Sequence, residues 1–296
     1  MNPDLPRIEG TVLLDGVLMP AGEARVSVLD RGFLFGDGVY EVIPFYAGRP
    51  LGLAGHLDRL DRSLREIALP NPHSRPEWLQ LLAEVVAHNG GGDLAVYLQV
   101  TRGAPRRRDH AFPEPGTRPT VLVTAGPLRA LPGKIRQEGA AAITLPDQRW
   151  ARCDIKSINL LANVLARQQA VEAGAMEAIL LRDGRAVEGA ASNLFVVRGQ
   201  GLVTPPRSPH ILAGITRALV LDLARASGLE AVEAPLAESD LRAAQEIWLT
   251  SSTREIMPVC RLDNAPVGAG VPGPVWSRLD QAYQEYKRAL PEDWTS

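Results

Sequence analysis

Several classes of protein are excluded by what this sequence lacks. It has only two cysteines, Cys153 and Cys260, which are too few for a disulfide framework and fit free thiols in a reducing cytoplasm. No run of about 18 apolar residues could span a bilayer, and residues 1–10 lack the basic and apolar regions of a signal peptide. The formal net charge of −2 gives no reason to expect a nucleic acid or a membrane surface as partner, and no metal site is predicted.

Lysine is also scarce, because the basic residues comprise 29 arginines and only three lysines. Any chemistry that needs a side-chain amine therefore has three candidates. Lys287 lies in a charged terminal segment where a solvated side chain is expected, and Lys134 follows Pro-Gly at an expected exposed loop or strand edge. Lys156 instead precedes an apolar helix, and an amine held against apolar neighbours is favoured in its neutral, nucleophilic form. A structural ion pair is the alternative for Lys156.

Apolar periodicity divides the chain into alternating strands and helices. The Asp15-Gly16 pair between two apolar runs predicts a hairpin turn. Segments rich in β-branched residues predict strands, and apolar residues at helical spacing predict helices. The predicted strands are residues 39–46, 94–101, 120–124, 140–145, 177–182, 193–197 and 246–251, and the predicted helices are residues 55–68, 75–88, 159–173, 214–227 and 273–289. This alternation indicates an α/β or α+β fold.

A segment rich in proline, glycine and alanine, residues 125–133, marks the candidate domain boundary. A chain of 296 residues is long enough for two domains. We therefore predict an N-terminal domain over residues 1–125, a linker over residues 126–132 and a C-terminal domain over residues 133–296.

Four polar clusters have the chemistry of a cofactor site. Glu188 is followed by small residues that would let a flat ligand approach, and its carboxylate could pair with a protonated ring nitrogen. The helix that begins near residues 214–216 offers free amides to a phosphate, and the hydroxyls of residues 250–253 could complete that site. His56 and Arg59 share one helix face and could add a phosphate contact. Each pattern also occurs in ordinary surface turns and helices, so none is specific alone.

Together these clusters resemble the fold-type IV pyridoxal-phosphate enzymes, which include D-amino-acid aminotransferase, branched-chain aminotransferase and aminodeoxychorismate lyase. The resemblance covers residues 10–288 and rests on ordered segments: LDRGFLFGDGVYEV, HLDRL, VTRG, CDIKSINLL, EGAASNLF, GITR and TSSTREIMPV. It implies a smaller N-terminal α/β domain, a larger β-barrel-like C-terminal α/β domain, pyridoxal 5′-phosphate as cofactor and a homodimer.

The resemblance also assigns roles to residues. It implies that Lys156 carries the cofactor and moves a proton between the substrate Cα and the cofactor. Glu188 keeps the pyridine nitrogen protonated, so that the ring accepts electrons. Leu212 packs on the ring face, and Tyr40 lines the substrate pocket. The phosphate contacts are assigned to Arg59, Ile215, Thr216, Ser251 and Ser252.

An Arg-x-His pattern, Arg108 and His110, distinguishes among members of the family. It is similar to the loop with which D-amino-acid aminotransferases, together with a tyrosine, hold the substrate carboxylate. A planar guanidinium holds a carboxylate at two points, and histidine adds a donor. A carboxylate held there presents the Cα hydrogen of a D-substrate to Lys156. The loop is one residue longer than the usual pattern, so Arg106 and Arg107 remain alternatives to Arg108.

Three further positions depart from the patterns of relatives. Ala190 and Ala191 stand where relatives often carry serines, which removes hydroxyls near the cofactor. Leu161 stands where branched-chain enzymes carry a tyrosine that contacts the cofactor O3′ oxygen, which weighs against that activity. Arg149, seven residues before Lys156, is predicted to supply the missing O3′ contact.

The predicted function is a ping-pong transaminase that moves the amino group of a D-amino acid to a 2-oxo acid such as 2-oxoglutarate or pyruvate. An aminodeoxychorismate lyase, a branched-chain L-amino-acid or R-amine transaminase, and an inactive binding protein are the alternatives. The preferred donor depends on loop packing that the sequence does not fix.

Overall fold

The computed structural model describes residues 10–199 and 201–295 and divides into two compact units. Of the described residues, the first unit contains 10–128, 155–159 and 290–295, and the second contains 129–154, 160–199 and 201–289. The predicted domains were contiguous, so residues 155–159 and 290–295 group differently from that division. The signal-peptide prediction rests on residues 1–10, of which all but Gly10 lie outside the described residues.

The first unit is built on a six-stranded antiparallel sheet with two long helices. Its elements are β1 (Thr11–Leu14), β2 (Val17–Pro20), α1 (Arg31–Phe35), β3 (Gly38–Tyr46), β4 (Arg49–Pro50), α2 (Leu53–Glu66), α3 (Arg75–His88), β5 (Leu94–Thr101) and β6 (Thr120–Pro127). The strand order is β2-β1-β6-β5-β3-β4. Asp15 and Gly16 both have positive φ between β1 and β2, so the predicted hairpin turn is confirmed.

Apolar side chains of the two long helices and the central strands form the core of the first unit. Leu60 and Leu64 of α2 and Trp78 and Leu82 of α3 are buried with the inward residues of β3, β5 and β6. Helix α2 also buries polar residues at helical spacing, namely His56, Arg59 and Ser63. Buried polar groups need hydrogen-bond partners, so this face of α2 is expected to contact other polar groups within the unit.

The second unit contains a ten-stranded mixed sheet with helices. Its elements are α4 (Gly133–Glu138), β7 (Ala140–Pro146), α5 (Leu161–Glu172), β8 (Glu177–Arg182), β9 (Arg185–Gly189), β10 (Asn193–Arg198), β11 (Gly201–Thr204), α6 (Ile215–Ala226), β12 (Glu230–Glu233), β13 (Leu236–Ala237), α7 (Glu238–Arg242), β14 (Glu246–Ser251), β15 (Glu255–Leu262), β16 (Ala265–Pro266) and α8 (Pro274–Arg288). The strand order is β12-β11-β10-β14-β15-β7-β8-β9-β13, and β16 pairs with β15. The predicted α/β class, with a curled sheet in the larger unit, is confirmed.

Several local expectations differ from the structure. Gly126 and Pro127 of the predicted linker continue β6, because they pair with β5. Lys134 is exposed as expected but lies in α4 rather than in a loop or strand edge. The expectation for Lys287 is wrong, because its side chain is only 16% exposed and Nζ lies 2.5 Å from the Glu255 Oε1 atom.

The described residues contain neither a helix that could span a membrane nor a side-chain group that could hold a metal ion. None of the helices in residues 10–199 and 201–295 combines the length and the apolar character needed to cross a membrane. Within the same ranges, no three or more histidine, cysteine, aspartate or glutamate side chains form a group that could hold a metal ion.

Candidate active site

Lys156 lies in a short irregular segment that is held against strand β3. The Tyr40 amide donates to the Lys156 carbonyl at 3.0 Å, and the Ile158 amide donates to the Gly38 carbonyl at 3.1 Å. The Lys156 amide donates to the Ser63 hydroxyl of α2 at 3.3 Å. These bonds place the Lys156 Nζ atom 4.3 Å from the centre of the Tyr40 ring. The structure thus brings together two of the predicted site residues, the amine and the aromatic ring.

Glu41 is a buried carboxylate that fixes the orientation of the Arg59 guanidinium. Its Oε1 atom accepts from Arg59 Nε at 2.8 Å, and its Oε2 atom accepts from Arg59 Nη2 at 2.7 Å. Burial opposes the charge, but Arg59 and His56 outweigh it and hold the pKa of Glu41 well below its usual value. Glu41 was not predicted from the sequence. A glutamate within the apolar run of β3 was the available signal, because a buried charge needs a partner.

His56 completes this cluster as a neutral imidazole. Its Nδ1 atom lies 2.7 Å from the Glu41 Oε2 atom, and an ionised carboxylate only accepts hydrogen bonds, so Nδ1 carries the hydrogen. Burial lowers the pKa of His56, although Glu41 acts in the opposite direction. The Nε2 atom is buried and has no hydrogen-bond partner among the described residues. It therefore keeps a lone pair that can accept a hydrogen bond from a ligand or a water molecule.

The loop that carries the Arg-x-His pattern is fixed through its backbone by Arg31. The Arg31 Nη1 atom donates to the carbonyls of Asp109 at 2.5 Å and Ala111 at 3.0 Å, and Nη2 donates to the His110 carbonyl at 3.2 Å. Arg31 is itself buried and is held by Asp37, with Nε 2.7 Å from the Oδ2 atom. The sequence analysis missed this arginine because its partners lie almost 80 residues away.

The side chains of Arg108 and His110 both contact Phe35. The Arg108 guanidinium lies 4.7 Å from the centre of the Phe35 ring, and the His110 ring centre lies 5.1 Å from it. Both side chains are exposed. No hydrogen bond, ion pair or ring contact among the described residues joins either of them to Tyr40 or Lys156. The structure thus gathers the two loop residues at Phe35 and does not join them to the lysine.

In the second unit, Glu188 is the centre of a buried polar cluster. It lies within β9. Its Oε1 atom accepts a hydrogen bond from Arg149 Nη1, and its Oε2 atom accepts from Asn193 Nδ2 and from the Leu212 amide, both at 3.0 Å. Burial raises the pKa of Glu188 to about 7, although Arg149 and the Leu212 amide act in the opposite direction. Three of the predicted site residues, Glu188, Arg149 and Leu212, are therefore in direct contact.

Asp147 holds the other edge of the Arg149 side chain. Its Oδ1 atom accepts from Arg149 Nε at 2.9 Å, and its Oδ2 atom accepts from Arg149 Nη2 at 3.0 Å. Arg182 also donates to Oδ2, and its Nη1 atom lies 2.6 Å from His210 Nδ1. Burial opposes the charge of Asp147, but the two arginines outweigh it and lower its pKa.

Helix α6 and strand β14 supply the residues predicted to bind phosphate. Ile215 and Thr216 begin α6, and no side chain caps this helix end, so its first amides can serve a ligand. Thr250 of β14 pairs with Asn193 of β10, and Asn193 donates a hydrogen bond to Glu188. Ser251 and Ser252 follow Thr250 directly and therefore lie near the Glu188 cluster. The Thr250 hydroxyl is buried and has no hydrogen-bond partner among the described residues.

These groups match the chemistry of pyridoxal phosphate. A pyridine nitrogen needs a carboxylate partner, which Glu188 provides, and a phosphate needs uncapped amides and hydroxyls, which α6 and the end of β14 provide. A Cβ atom added to Gly214 would lie 1.9 Å from the Asn193 Oδ1 atom, so only glycine leaves this helix start in place beside the Glu188 cluster. The residues of the second unit therefore fit the cofactor.

Comparison with known proteins identifies the family. The model of the class IV aminotransferases matches residues 38–262. This chain belongs to the class IV aminotransferases. It is 43% identical over 274 residues to a D-alanine aminotransferase of Bacillus licheniformis, covering 92% of this chain and 95% of that protein. It is 41% identical over 284 residues to a D-alanine aminotransferase of Listeria monocytogenes, covering 95% of this chain and 98% of that protein.

A solved structure of this aminotransferase class shares the fold. The branched-chain amino acid aminotransferase from Escherichia coli superposes with a TM-score of 0.88 at 26% sequence identity. The match covers 97% of this chain and 97% of that one. Another branched-chain amino acid aminotransferase, crystallised with pyridoxamine 5′-phosphate, has a TM-score of 0.87 at 30% identity over 96% of each chain. The resemblance on which the sequence analysis rested, the predicted fold, the cofactor and the prediction of an aminotransferase are confirmed.

Proposed function

We propose that this aminotransferase moves the amino group of a D-amino acid to a 2-oxo acid, by a ping-pong mechanism. The observation that carries the proposal is the similarity to D-alanine aminotransferases, which extends over more than nine-tenths of both chains. The presence of Lys156 and Glu188 in contact with predicted partners supports it.

The cofactor is pyridoxal 5′-phosphate, which supplies an electron sink through its protonated ring when it is bound. We propose that Lys156 forms the covalent bond to it and moves the proton at the substrate Cα atom. Glu188 bonds the ring nitrogen, and Leu212 covers the ring face. The phosphate is held by Arg59, Ile215, Thr216, Ser251 and Ser252. Contact of Arg149 with the O3′ oxygen stays a prediction beside its bonds to Glu188 and Asp147.

The substrate carboxylate is proposed to bind Arg108 and His110, with Tyr40 beside it. An arginine fork binds a carboxylate at two points, and the loop backbone is fixed by Arg31, so the fork has a stable base. Arg107 is a weaker alternative, because its Nη2 atom lies 3.8 Å from the Asp109 Oδ2 atom and so already faces a carboxylate. A carboxylate held by Arg108 would turn the Cα hydrogen of a D-enantiomer toward Lys156.

We also propose that the chain forms a homodimer in the cytoplasm. Helix α5 exposes an apolar stripe at helical spacing, Leu161, Val164, Leu165 and Val171, each at least half exposed. Contiguous exposed apolar residues mark interfaces, and a second copy of the chain is the partner that the family resemblance implies. The two cysteines are free and buried, which fits a reducing compartment.

A branched-chain L-amino-acid transaminase is the second candidate, because a solved structure with a TM-score of 0.88 has that activity in its name. Leu161 in place of the tyrosine expected in those enzymes weighs against it. The lyase and the R-amine transaminase remain weaker alternatives, since neither uses the Arg-x-His pattern.

A donor panel tests the proposal. The reconstituted enzyme is assayed with D-alanine, L-leucine and R-phenylethylamine as donors and with 2-oxoglutarate or pyruvate as acceptor. We expect D-alanine to be the best donor and the Lys156→Ala variant to lose activity, while Lys134→Ala, a change at an exposed lysine, keeps it. A higher rate with L-leucine would overturn the assignment to D-amino acids.

A further inference from the structure

Arg149 links two buried carboxylates in the second unit. Its Nη1 atom donates to Glu188 Oε1, while Nε and Nη2 donate to the two oxygens of Asp147. The Arg149 side chain is 6% exposed and the Asp147 side chain is fully buried. A guanidinium held on two edges by two carboxylates cannot rotate without breaking both contacts, so its position is fixed before any ligand arrives.

We propose that Arg149 and Asp147 form a positioning pair that keeps the Glu188 carboxylate ionised and aimed at the ring nitrogen of the cofactor. This rests on the proposed function, in which Glu188 bonds that nitrogen. Arg149 acts through Glu188 and is a positioning residue. Asp147 acts one step further away, because its carboxylate orients Arg149 and, among the residues that the structure describes, bonds to no other predicted site residue.

The charges of the cluster explain why Arg149 is needed. Above the Glu188 pKa of about 7, Glu188 and Asp147 are negative and Arg149 and Arg182 are positive, so the charges of the four groups sum to zero. Loss of Arg149 would leave one excess negative charge in a low-dielectric site, which costs free energy unless a carboxylate takes up a proton. Glu188 would take it up, because burial already raises its pKa to about 7, whereas Arg182 would still act to lower the pKa of Asp147.

A protonated Glu188 could not do what the proposed function requires. Glu188 and the ring nitrogen share one proton, and a higher pKa of Glu188 moves that proton from the nitrogen to the carboxylate, which leaves the ring less protonated. The other groups that face Glu188 cannot replace Arg149. Asn193 and the Leu212 amide donate hydrogen bonds but carry no charge. The Cys153 thiol stays neutral, since burial raises its pKa to about 11.

The test compares Arg149→Gln, which removes the charge, with Arg149→Lys, which keeps it. Arg198→Gln is the matched control, because Arg198 pairs with Asp240 on the surface of the same unit and contacts none of the cluster. In the full chain without cofactor, the Glu188 carboxyl is titrated by infrared difference spectroscopy against Glu188→Gln. We expect its pKa to rise by about one unit or more in Arg149→Gln, to rise less in Arg149→Lys and to stay unchanged in the control.

A second readout uses pyridoxal phosphate labelled with ¹⁵N in the ring. Near pH 8, the nitrogen resonance of the wild-type protein and of the control should report a protonated ring. At the same pH, the resonance of Arg149→Gln should report a ring that is partly unprotonated. An unchanged Glu188 titration in a folded Arg149→Gln protein overturns the proposal. If Arg149→Gln does not fold, an unshifted titration in Arg149→Lys together with unaltered ring protonation overturns it equally.

The two proposals fail separately in these experiments. The cofactor-free titration of Glu188 does not depend on which reaction the enzyme performs. A shifted titration with no transamination of D-alanine would therefore refute the proposed function alone, and transamination with an unshifted titration would refute the role of Arg149 alone.

Discussion

Replacement of Glu41 by glutamine should destabilise the first unit strongly. Glu41 is fully buried, and its partner Arg59 has a side chain that is 5% exposed, so solvent cannot screen the lost charge. The glutamine amide would place its NH₂ group opposite donors of Arg59 or His56 in either orientation, because the carboxylate accepts from both. Breaking a buried ion pair on one side costs about 3–5 kcal/mol, and we expect a loss of that size.

Urea unfolding of Glu41→Gln, followed by circular dichroism, measures this loss. Glu114→Gln, an exchange of the same kind on an exposed loop, is the control and should shift the free energy of unfolding by less than about 0.5 kcal/mol. The double variant Glu41→Gln, Arg59→Gln should lose less than the sum of the two single variants, because no buried charge is left unpaired. A loss as small as that of the control would refute the view that this ion pair stabilises the unit.

Acid should remove the contribution of Glu41 only far below neutral pH. Its pKa in the folded protein lies well below the usual value near 4.5, so the unfolded chain binds the proton more readily. The stabilisation is therefore present above about pH 4.5 and is lost as the pH falls through the lower, folded pKa. The difference in unfolding free energy between wild type and Glu41→Gln should shrink as the pH is lowered below about 4.

Three further predictions concern single positions. Gly214→Ala should weaken cofactor binding in an absorbance titration, because its Cβ would displace Asn193 from Glu188, whereas Gly133→Ala, which meets no atom within 4 Å, should not. The pKa of Glu188 in the folded protein is about 7, above its value of about 4.5 in the unfolded chain. The free energy of unfolding should therefore fall as the pH rises from about 4.5 through 7. In urea unfolding without cofactor, Glu188→Gln should lose less stability over this pH range than the wild type. Leu60→Ala should cost about 2–5 kcal/mol of unfolding free energy, because Leu60 is fully buried in the core, and a cost near zero would contradict that packing.

Features with a local sequence signature could be predicted. Strands β5, β8 and β14 have the predicted bounds because each surrounds a short apolar run, and the Asp15-Gly16 turn was recognisable from two residues. Lys156 could be singled out because lysine is so scarce, and Glu188 and the start of α6 followed from small or polar residues beside strands and helices. The joint order of these pieces, more than any one, pointed to the family.

Features that depend on partners far apart in the sequence could not be predicted. Nothing near Glu41 shows that it will meet an arginine 18 residues later, and nothing near Lys287 reveals Glu255. The return of residues 155–159 to the first unit depends on backbone bonds to β3, more than 100 residues earlier. The spacing of such pairs in the sequence matches neither the helical nor the strand period, so these pairs can be recognised only in the folded structure.

Arg31 bonds three consecutive carbonyls of the Arg-x-His loop, so the path of the backbone there does not depend on the side chains of those residues. Because the Arg31 guanidinium bonds main-chain oxygens, these bonds do not depend on which side chains the same residues carry. Substitutions at residues 109–111 could therefore change the side chains that the loop presents while its backbone follows the same path. The substrate selectivity that we propose for this loop could thus change without a change in the path of its backbone.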